Sequence, residues 1–489
     1  MKTIKKTIKR CAALALASIM AIGAAGCQKK EEGGIVELTY YAANTPQQDD
    51  AKVLAKVNEY LEEKIGVHVN WVNIPIGEYK KKTSMMFATG EEFDVCFTAS
   101  YTDFAENVRN GVFMPLDEHL KNEGKDIYEQ TPDYFFDAAT INGEIYALPM
   151  NKDVGEQWVL ACKTAMLKKY NINIDNVTSL EDMTPILQTI KDNEPTYTPI
   201  LMRGNNIFFP FLPFETITGC EVGAFKTDDF DTVINQFDTD EARAFFKLMR
   251  EWYQKGFMRP DAATATSDSD IRGANTWFAG HGTYLPYGEL QAGVEEDKHV
   301  THIMTLDTPH IRTGNVLGAG FAISANSKHP EKAMEFINII NTDKELRNLI
   351  GLGIEGEHWV AVGEDQYKLP EGVADKADTG YAPVEYTLGN RFLMILKEGI
   401  PADMGEKFKE FNDTAVVYPT LGFMFDTSNV STEVAAISDV YQKYAPSLMV
   451  GAVDPDEYLP QFLDALKTAG SEKVIAEMQR QYDEWKAQK

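Results

Sequence analysis

Three glycines in the C-terminal half of the chain have the spacing of a nucleotide-binding motif. Gly351, Gly353 and Gly356 fit the pattern Gly-x-Gly-x-x-Gly. That motif holds a pyrophosphate only where it follows a strand and opens a helix. Here a helix is predicted before it, over residues 343–350, and a strand after it, over residues 359–362. Because this order is reversed, we expect Gly351 to end the preceding helix and no nucleotide to bind.

Other familiar catalytic and metal-binding patterns are missing from the sequence. No GxxxxGK(S/T), HExxH, CxxC or GxSxG occurs, and the eight histidines are scattered. Asp268 and Asp270 flank Ser269, but the other ligands of a calcium loop are lacking, so we expect a solvated turn there. The sequence therefore predicts no catalytic residue, no metal site and no cofactor.

Cys27 is the cysteine whose surroundings suggest a covalent modification. Five positive charges precede an apolar run over residues 11–25, which is too short to span a bilayer comfortably. The run ends in Ala-Ala-Gly directly before Cys27. This pattern resembles a bacterial lipobox, whose cysteine is acylated and becomes the first residue after cleavage of residues 1–26. An ordinary secretory signal with an incidental cysteine is the alternative.

The segment after Cys27 predicts a short connection to the folded body. Residues 27–34 contain a polar stretch that ends in Gly-Gly, which is typical of a flexible tether. Fully extended, the seven residues after the cysteine reach roughly 25 Å. We therefore expect the body to lie close to the membrane surface.

The composition is that of an acidic globular protein. The chain has 489 residues, 44% hydrophobic and 25% charged, and a formal charge of −27. Removing the five positive charges of the leader makes the charge −32. Such a balance argues against nucleic-acid binding and against docking on anionic lipid through a basic face. The length indicates two or three domains. Besides the lipidated Cys27, the mature chain contains Cys96, Cys162 and Cys220. Three cysteines permit at most one disulfide, and we expect buried free thiols.

Strand-like and helix-like segments alternate from residue 35 onward. Strands are predicted over residues 36–41, 67–71 and 94–97, with helices over residues 47–65 and 78–88 between them. Val53, Val57, Leu61 and Ile65 form one face of the first helix, and Gly66 follows its end. This βαβαβ order predicts a parallel sheet with ligands beyond the carboxyl ends of its strands.

The rest of the chain continues as a second α/β stretch and a helical C-terminal block. A hairpin is predicted around Asn142-Gly143. Further strands are predicted over residues 158–161, 199–202, 282–285 and 315–324, and helices over residues 179–191, 239–255, 330–340, 457–468 and 471–486.

Several short motifs occur in one order along the mature chain. They are LTYY at 38–41, DVCF at 94–97, YTD at 101–103, MPLD at 114–117, NG at 142–143, ALP at 147–149, NVLGAGFAIS at 315–324 and LGIEGEHW at 352–359. With the lipobox and the C-terminal helices, this order resembles the family 1 extracellular solute-binding proteins, the sugar-capturing lipoproteins of ABC importers. The last motif and the helical block resemble a branch with an additional C-terminal domain.

The resemblance implies an α/β fold of the two-lobe, periplasmic-binding-protein-like type II class, with a mainly helical C-terminal extension. The first lobe would comprise residues 35–150 and 311–370, and the second residues 151–310 and 371–489. It also implies a protein anchored by lipid on the extracytoplasmic face of the cell membrane. There it would capture a carbohydrate, expected to be an oligosaccharide, and deliver it to the permease subunits of an ABC transporter. We expect a monomer without nucleic-acid partners.

Candidate ligand-binding residues lie in loops that this fold would place at the cleft. Sugar capture uses aromatic faces for the C–H surface of the ring, and carboxylate, amide and guanidinium groups for its hydroxyls. The candidates are Asn44, Tyr101, Asp103, Glu156, Arg203, Asn205, Tyr287, Glu289 and Asn390. Glu156, Tyr287 and Glu289 are chosen because the family places ligand contacts at such positions. Trp277, Phe278 and Trp359 are expected in the core.

A second class of function stays open at this stage. A secreted, lipid-anchored glycoside hydrolase would use two carboxylates separated by roughly 5 Å or 6.5–9.5 Å. The sequence contains many Asp and Glu residues, but no arrangement singles out such a pair. Incubation with oligosaccharides distinguishes the classes, because a hydrolase releases reducing ends.

We predict that Cys27→Ala leaves the fold intact and releases the protein from the membrane fraction. The lipid on Cys27 is the expected anchor, and two acyl chains bind far more strongly than one. Fractionation of cells expressing the wild type and the variant measures this. A variant that still sediments with membranes would contradict the assignment.

Overall fold

The computed structural model describes residues 34–204, 209–295 and 298–489. The predicted leader, Cys27 and all but the last residue of the tether lie outside these ranges, as does Asn205. Within them, no helix is long and apolar enough to cross a membrane.

A five-stranded sheet organises the first lobe. Val36–Ala43 lies between Val67–Ile74 and Val95–Thr98 and runs parallel to both, which confirms the predicted parallel sheet. Gly320–Ile323 pairs antiparallel with Val95–Thr98, and Leu148–Pro149 pairs antiparallel with Gly320–Ile323 at the edge of the sheet. The carboxyl ends of the parallel strands therefore meet along one edge.

Helices cover this sheet because their apolar faces match it. The first helix buries Val53, Val57 and Leu61 and ends at Gly66, whose φ of 66° is the left-handed conformation that glycine adopts without strain. The helices of this lobe are Asp50–Ile65, Ile76–Thr89, Phe104–Arg109, Asp117–Lys121, Lys125–Gln130, Asp133–Ala138, Thr313–Val316, Pro330–Thr342 and Lys344–Leu352.

The second lobe contains a four-stranded sheet and a three-stranded meander. The sheet has the order Val300–Ile303, Trp158–Lys163, Trp277–Thr283 and Thr198–Ile200. The meander consists of Phe214–Thr216, Gly223–Lys226 and Asp229–Asn235, all antiparallel. The helices are Thr164–Lys169, Met183–Asn193, Asp240–Gln254, Ser269–Gly273 and Gly288–Gln291.

Smaller elements and the C-terminal helices complete the structure. The predicted hairpin forms from Thr140–Ile141 and Glu144–Ile145, with positive φ at Asn142 and Gly143. Val360–Val362, Gln366–Lys368 and Leu396–Lys397 form a small sheet. The C-terminal helices are Met404–Thr414, Ser431–Met449, Pro455–Ala469 and Ser471–Gln488, and short 3₁₀ helices cover Ser100–Thr102, Phe209–Phe211, Lys376–Thr379, Glu385–Thr387, Arg391–Leu393 and Ser428–Val430.

Two separate hydrophobic clusters form the cores. The first cluster combines buried residues from Leu38 to Val154 with others from Ile311 onward. The second cluster contains buried residues from Leu160 to Ile303 together with those of the C-terminal helices. Tyr381 and Leu388 lie in the first cluster, although the sequence assigned everything after residue 370 to the second lobe. The chain after 370 therefore contributes to both cores.

The three described cysteines are buried and unpaired, as expected: Cys96, Cys162 and Cys220. Cys96 belongs to the first cluster, and Cys162 and Cys220 belong to the second. Each acts there as a small apolar side chain.

Two predicted strands differ from the structure. The segment predicted as a strand over 315–324 begins with the helical turn Thr313–Val316, because the Asn315 side chain accepts a hydrogen bond from the Arg312 backbone amide at 2.9 Å. Its strand is Gly320–Ile323. The strand predicted over 282–285 is instead Trp277–Thr283, since pairing with the neighbouring strands begins at Trp277.

The predicted helix end at Gly351 is also wrong. The helix Lys344–Leu352 continues through Gly351 and ends at Gly353, which has a φ of 81°. A Cβ at position 351 would lie 2.6 Å from Nη1 of the buried Arg347. Gly351 therefore makes room for a side chain of its own helix. The helix ends inside the glycine motif and the strand Val360–Val362 follows the motif, so the order is the reverse of a nucleotide-binding motif, as expected.

We predict that Gly451→Ala destabilises the protein much more than Gly66→Ala. Both glycines have a positive φ, a backbone conformation that is less favourable for alanine by about 1–2 kcal/mol. At Gly66 a Cβ meets nothing within 4 Å, whereas at Gly451 it would lie 2.2 Å from the Met249 carbonyl oxygen. The second change should reduce the free energy of unfolding by about 3 kcal/mol or more, because backbone must move. Urea unfolding measures both, and equal losses would contradict the proposed close contact.

Candidate functional site

Three chain segments cross between the two cores side by side. Glu156 and His310 exchange backbone hydrogen bonds of 2.8 and 2.9 Å, which pairs the outgoing segment with the returning one. His310–Ile311 also pairs in parallel with Val416–Val417. The side chain of Asn412 accepts from the amides of Val154 and Gly155 at 3.0 and 2.9 Å. These bonds fix the crossing segments relative to one another.

A buried cluster of charged side chains lies on these segments. The Arg312 guanidinium donates to Glu156 and lies 3.6 Å from a carboxylate oxygen of Glu215 in the meander. His310 Nε2 lies 3.5 Å from Glu156, and His310 Nδ1 lies 3.7 Å from Asp307. The side chain of Glu215 is 10% exposed and that of Glu156 16%. One cation is thus shared by two buried carboxylates.

The two carboxylates titrate in opposite directions. Burial alone would raise the pKa of Glu156, but its hydrogen bond with His310 and the charge of Arg312 outweigh burial and lower this pKa to about 2. Burial raises the pKa of Glu215 to about 7, because the attraction of Arg312 only partly offsets it. Burial would lower the pKa of His310, but Glu156 and the Thr308 carbonyl raise it. Glu156 is therefore charged at neutral pH, while Glu215 lies close to its titration point.

Two neighbouring cavities meet at this cluster. The large cavity, about 1200 Å³, is lined by the crossing segments, the meander and the helix Ser431–Met449, and includes Trp158, Phe237, His310, Tyr418, Ser438 and Tyr441. The small chamber, about 290 Å³, is lined on the other side by Glu156, Glu215, Phe225, Thr313, Asn315 and Phe423. Arg312 and residues 216–218 line both.

The walls of the large cavity combine flat rings with polar groups. The ring of Tyr418 stacks on His310, with the centroids 4.8 Å apart and the planes 1° from parallel. Trp158 begins the inner strand Trp158–Lys163 of the four-stranded sheet, and its ring centroid lies 5.6 Å from that of His281. Aromatic surface next to hydroxyl and carboxylate groups suits a ligand that has both C–H faces and hydroxyls.

Of the residues predicted from sequence, Glu156 lies at this site. Asn205 lies outside the described residues. The remaining candidates line neither cavity, and their side chains contact other residues.

Asn44 and Asn390 are buried. Asn44 follows the first strand, and its side-chain oxygen accepts from the Val384 amide at 3.1 Å, while its Nδ2 has no hydrogen-bond partner. Asn390 accepts from the Phe392 amide at 3.0 Å and donates to the Asn341 carbonyl at 3.2 Å. The second arrangement is that of a structural cap.

Tyr101 and Asp103 lie on the loop after the third strand. Tyr101 is 47% exposed and hydrogen-bonds to Tyr386, which is 39% exposed. Asp103 adopts a left-handed conformation with a φ of 61° and accepts from Lys80 at 2.7 Å. Tyr101 and Tyr386 thus form an exposed aromatic pair near the carboxyl end of the strand Val95–Thr98.

Tyr287 and Glu289 have local partners in the second lobe. The Tyr287 hydroxyl donates to Asp403 at 3.1 Å. Glu289 accepts from the Val300 backbone amide at 2.6 Å and so holds the start of a strand. The structure does not bring this pair to the small chamber or the large cavity.

The expected solvated turn at Asp268 is wrong. Asp268 is buried and accepts from Arg203 Nε at 2.6 Å, while Arg259 lies 3.7 Å from its other oxygen. Two guanidinium groups thus neutralise this aspartate, and Arg203 is engaged by it. Within the described ranges, no group of three or more His, Cys, Asp or Glu side chains could hold a metal ion.

The three aromatic residues expected in the core divide into two groups. Phe278 is fully buried, as expected. Trp277 and Trp359 are half-buried. Arg272 lies over the ring of Trp277 at 5.1 Å, and Trp359 donates to the Gly353 carbonyl at 3.0 Å.

Sequence reasoning missed most of the charged cluster. His310, Arg312 and Glu215 were not candidates, although the return of the chain was placed near Ile311. Their spacing could have indicated His310 and Arg312, because residues two apart in a strand place their side chains on the same face. Glu215 had no such signal, because its partner comes from a segment almost a hundred residues away.

Comparison with known proteins identifies the family. Residues 43–345 match the bacterial extracellular solute-binding protein family, and residues 419–487 match a domain of unknown function, DUF3502. The first match covers more than half of the chain. This chain belongs to the bacterial extracellular solute-binding proteins.

Relatives of this solute-binding protein are similar to it over nearly its whole length. A carbohydrate ABC transporter substrate-binding protein of Streptococcus pneumoniae is 31% identical over 455 residues, which are 91% of this chain and 90% of the relative. The crystal structure of the N-glycan transport solute-binding protein NgtS from the same species is 29% identical with a TM-score of 0.81, covering 92% of this chain and 98% of NgtS. The complex of NgtS with Man1GlcNAc has a TM-score of 0.71 at 29% identity, covering 92% and 99%. The type II fold and the additional C-terminal domain are thereby confirmed.

We predict that Glu215→Gln changes how the stability of this solute-binding protein depends on pH. Folding holds the Glu215 carboxyl neutral up to about pH 7, whereas an unfolded chain ionises it near 4.5. Below pH 4.5 the neutral carboxyl makes its full contribution to the free energy of unfolding. As the pH rises through 7 this contribution is lost, and the free energy of unfolding falls by about 3 kcal/mol. Glutamine stays neutral, so the variant should gain about that much relative to the wild type between pH 5 and pH 8. Denaturant unfolding at several pH values measures this.

The wild type and the variant share the other groups that titrate nearby. Glu156 stays ionised across this range, and the raised pKa of His310 produces a decline in stability with rising pH in both proteins. Parallel stability curves from pH 5 to pH 8 would mean that Glu215 is not held neutral.

Proposed function

We propose that this protein is the extracytoplasmic binding component of a carbohydrate ABC importer. It captures an oligosaccharide between its two lobes without chemical change and delivers it to the permease subunits. The observation that carries this proposal is the large cavity beside the crossing segments, which the second lobe and Arg312 of the returning segment line with aromatic rings and hydroxyl-binding groups. The relatives described as carbohydrate transport proteins support the ligand class.

The size of the site favours an oligosaccharide over a single sugar. Pockets for small molecules usually measure roughly 300–1,000 Å³. The large cavity, at about 1200 Å³, exceeds that range before the small chamber of about 290 Å³ is added. A chain of several sugar units fills such a space better than one ring does.

The first lobe offers an aromatic surface for the same ligand. Tyr101 and Tyr386 are exposed large side chains beside the carboxyl ends of the parallel strands. Ser100, next to Tyr101, lies about 4.0 Å from the position that a Cβ on Gly314 would take, and Gly314 lines the small chamber. We therefore retain Tyr101 as a ligand-binding residue, with Asn44 and Asp103 as further candidates of the first lobe.

Closure of the lobes around the sugar fits the structural similarities. The TM-score is 0.81 to one crystal structure of NgtS, and it is 0.71 and 0.68 to the complexes of NgtS with Man1GlcNAc and Man5GlcNAc. A ligand that contacts both lobes stabilises the closed arrangement only through its greater affinity for that state. The two-core architecture supports such a movement about the crossing segments.

The anchor, the lobe division and the oligomeric state belong to the same proposal. Acylated Cys27 and the tether over residues 27–34 would keep the protein at the membrane beside its permease. The lobes are proposed to follow the division of the chain near Met150 and Ile311, and the protein to act as a monomer.

Binding of sugar without turnover tests this function. A panel of oligosaccharides, including those built from mannose and N-acetylglucosamine, should contain a ligand that raises the stability of the protein. At 100 times its dissociation constant the increase is about 2.7 kcal/mol. Thermal melting and calorimetry measure the binding, and an assay for reducing ends measures turnover. Released reducing ends would favour the hydrolase, and absence of any binding across the panel would contradict the proposal.

A variant of the exposed aromatic pair locates the site in the same experiment. Tyr101→Ala should weaken binding of the identified sugar by about 1–3 kcal/mol, since stacked aromatic side chains dominate such sites. Its ligand-free melting temperature should stay close to that of the wild type, because the side chain is half exposed. Tyr458→Ala is the matched control, because Tyr458 is 37% exposed on the distant helix Pro455–Ala469.

A further inference from the structure

The small chamber is a separate compartment at the inner end of the site. Its volume of about 290 Å³ is close to the lower limit of roughly 300 Å³ for small-molecule pockets, which suits one sugar unit better than several. Arg312 and residues 216–218 line both this chamber and the large cavity, so the two spaces are adjacent. An oligosaccharide in the large cavity could thus extend one terminal unit into it.

The chamber contains an acceptor without a hydrogen bond. Glu215 is 8% exposed and lines the chamber, yet one oxygen of its carboxylate has no hydrogen-bond partner. Its contact with Arg312, at 3.6 Å, is an ion pair beyond hydrogen-bonding distance. A buried acceptor of this kind destabilises the protein until a donor reaches it. Sugar hydroxyls are donors of suitable size.

The charged side chains of the chamber favour a neutral sugar over an acidic one. Arg312 is the cation on its wall, and Glu156 already accepts a hydrogen bond from it. An incoming carboxylate would therefore meet a guanidinium neutralised by Glu156 and, beside it, the carboxylate of Glu215. Like charges placed together in a buried site are strongly unfavourable.

We infer that the small chamber is a subsite for one uncharged terminal sugar unit, whose hydroxyl donates to Glu215. The inference rests on the proposed function and adds to it the chemical class of the terminal unit and the residue that selects it. Glu215 acts as a specificity-determining residue, and Arg312 holds it in place. Phe423 supplies an aromatic ring on the same wall.

Calorimetry with matched sugars tests the subsite. The probe is the neutral oligosaccharide with the highest affinity in the panel, compared with the same molecule after oxidation of its terminal unit to a uronic acid. At pH 8, where the Glu215 carboxyl is mostly ionised, wild-type protein should bind the acidic form at least about 100-fold more weakly. This comparison requires no variant and therefore does not depend on the folding of one.

A variant of Glu215 assigns the effect to that residue. Glu215→Gln should weaken binding of the neutral sugar about tenfold, since a charge-assisted hydrogen bond is lost, and should reduce the discrimination against the acidic form. Glu194→Gln is the matched control, because Glu194 is an ion-paired carboxylate of the second lobe with a side chain 15% exposed. The control should retain both affinities.

The outcomes separate this inference from the function on which it rests. Equal wild-type affinity for the two sugars, or unchanged affinities in Glu215→Gln, would overturn the subsite and leave carbohydrate capture intact. Failure of wild-type protein to bind any sugar of the panel would overturn both.

Discussion

The ion pair between Arg312 and two buried carboxylates is the constraint on which the site depends. Arg312 stands on the returning segment, Glu156 on the outgoing segment and Glu215 on the meander of the second lobe. One guanidinium thus connects three parts of the chain that are far apart in sequence. Because it lines both cavities, the same group also separates the large cavity from the small chamber.

A contribution to the stability of the folded protein does not explain why these charged side chains are buried together. Removing charges from water is expensive, and buried ion pairs are often no more stabilising than apolar side chains of the same size. The raised pKa of Glu215, about 7, shows that desolvation there outweighs the attraction of Arg312. The arrangement makes sense as a ligand site, where a polar group that is poorly satisfied in the free protein finds its partner only when the ligand arrives.

The sequence predicted those features that depend on local pattern. The apolar face of Val53, Val57 and Leu61, the cap at Gly66 and the parallel strand order follow from periodicity and turn chemistry, and the structure contains them. The features that it missed depend on distant partners. Asp268 is buried because Arg203 approaches it from another segment, and Gly351 stays helical because Arg347 needs the space of a Cβ. The contacts of the candidate ligand-binding residues could not be predicted for the same reason, since a loop position does not reveal which neighbour its side chain contacts.

The C-terminal domain completes the site that the family fold begins. The family match ends at residue 345, yet Tyr418 and the helix Ser431–Met449 form one wall of the large cavity. Most of that wall lies within the domain of unknown function over residues 419–487. Gly451, just beyond the end of this helix, lies close against the backbone of Met249, so this wall packs on the second lobe. Without this block the cavity would be open along that side. The length and shape of the large cavity are therefore determined jointly by the crossing segments, which connect the two lobes, and by a domain beyond the family core.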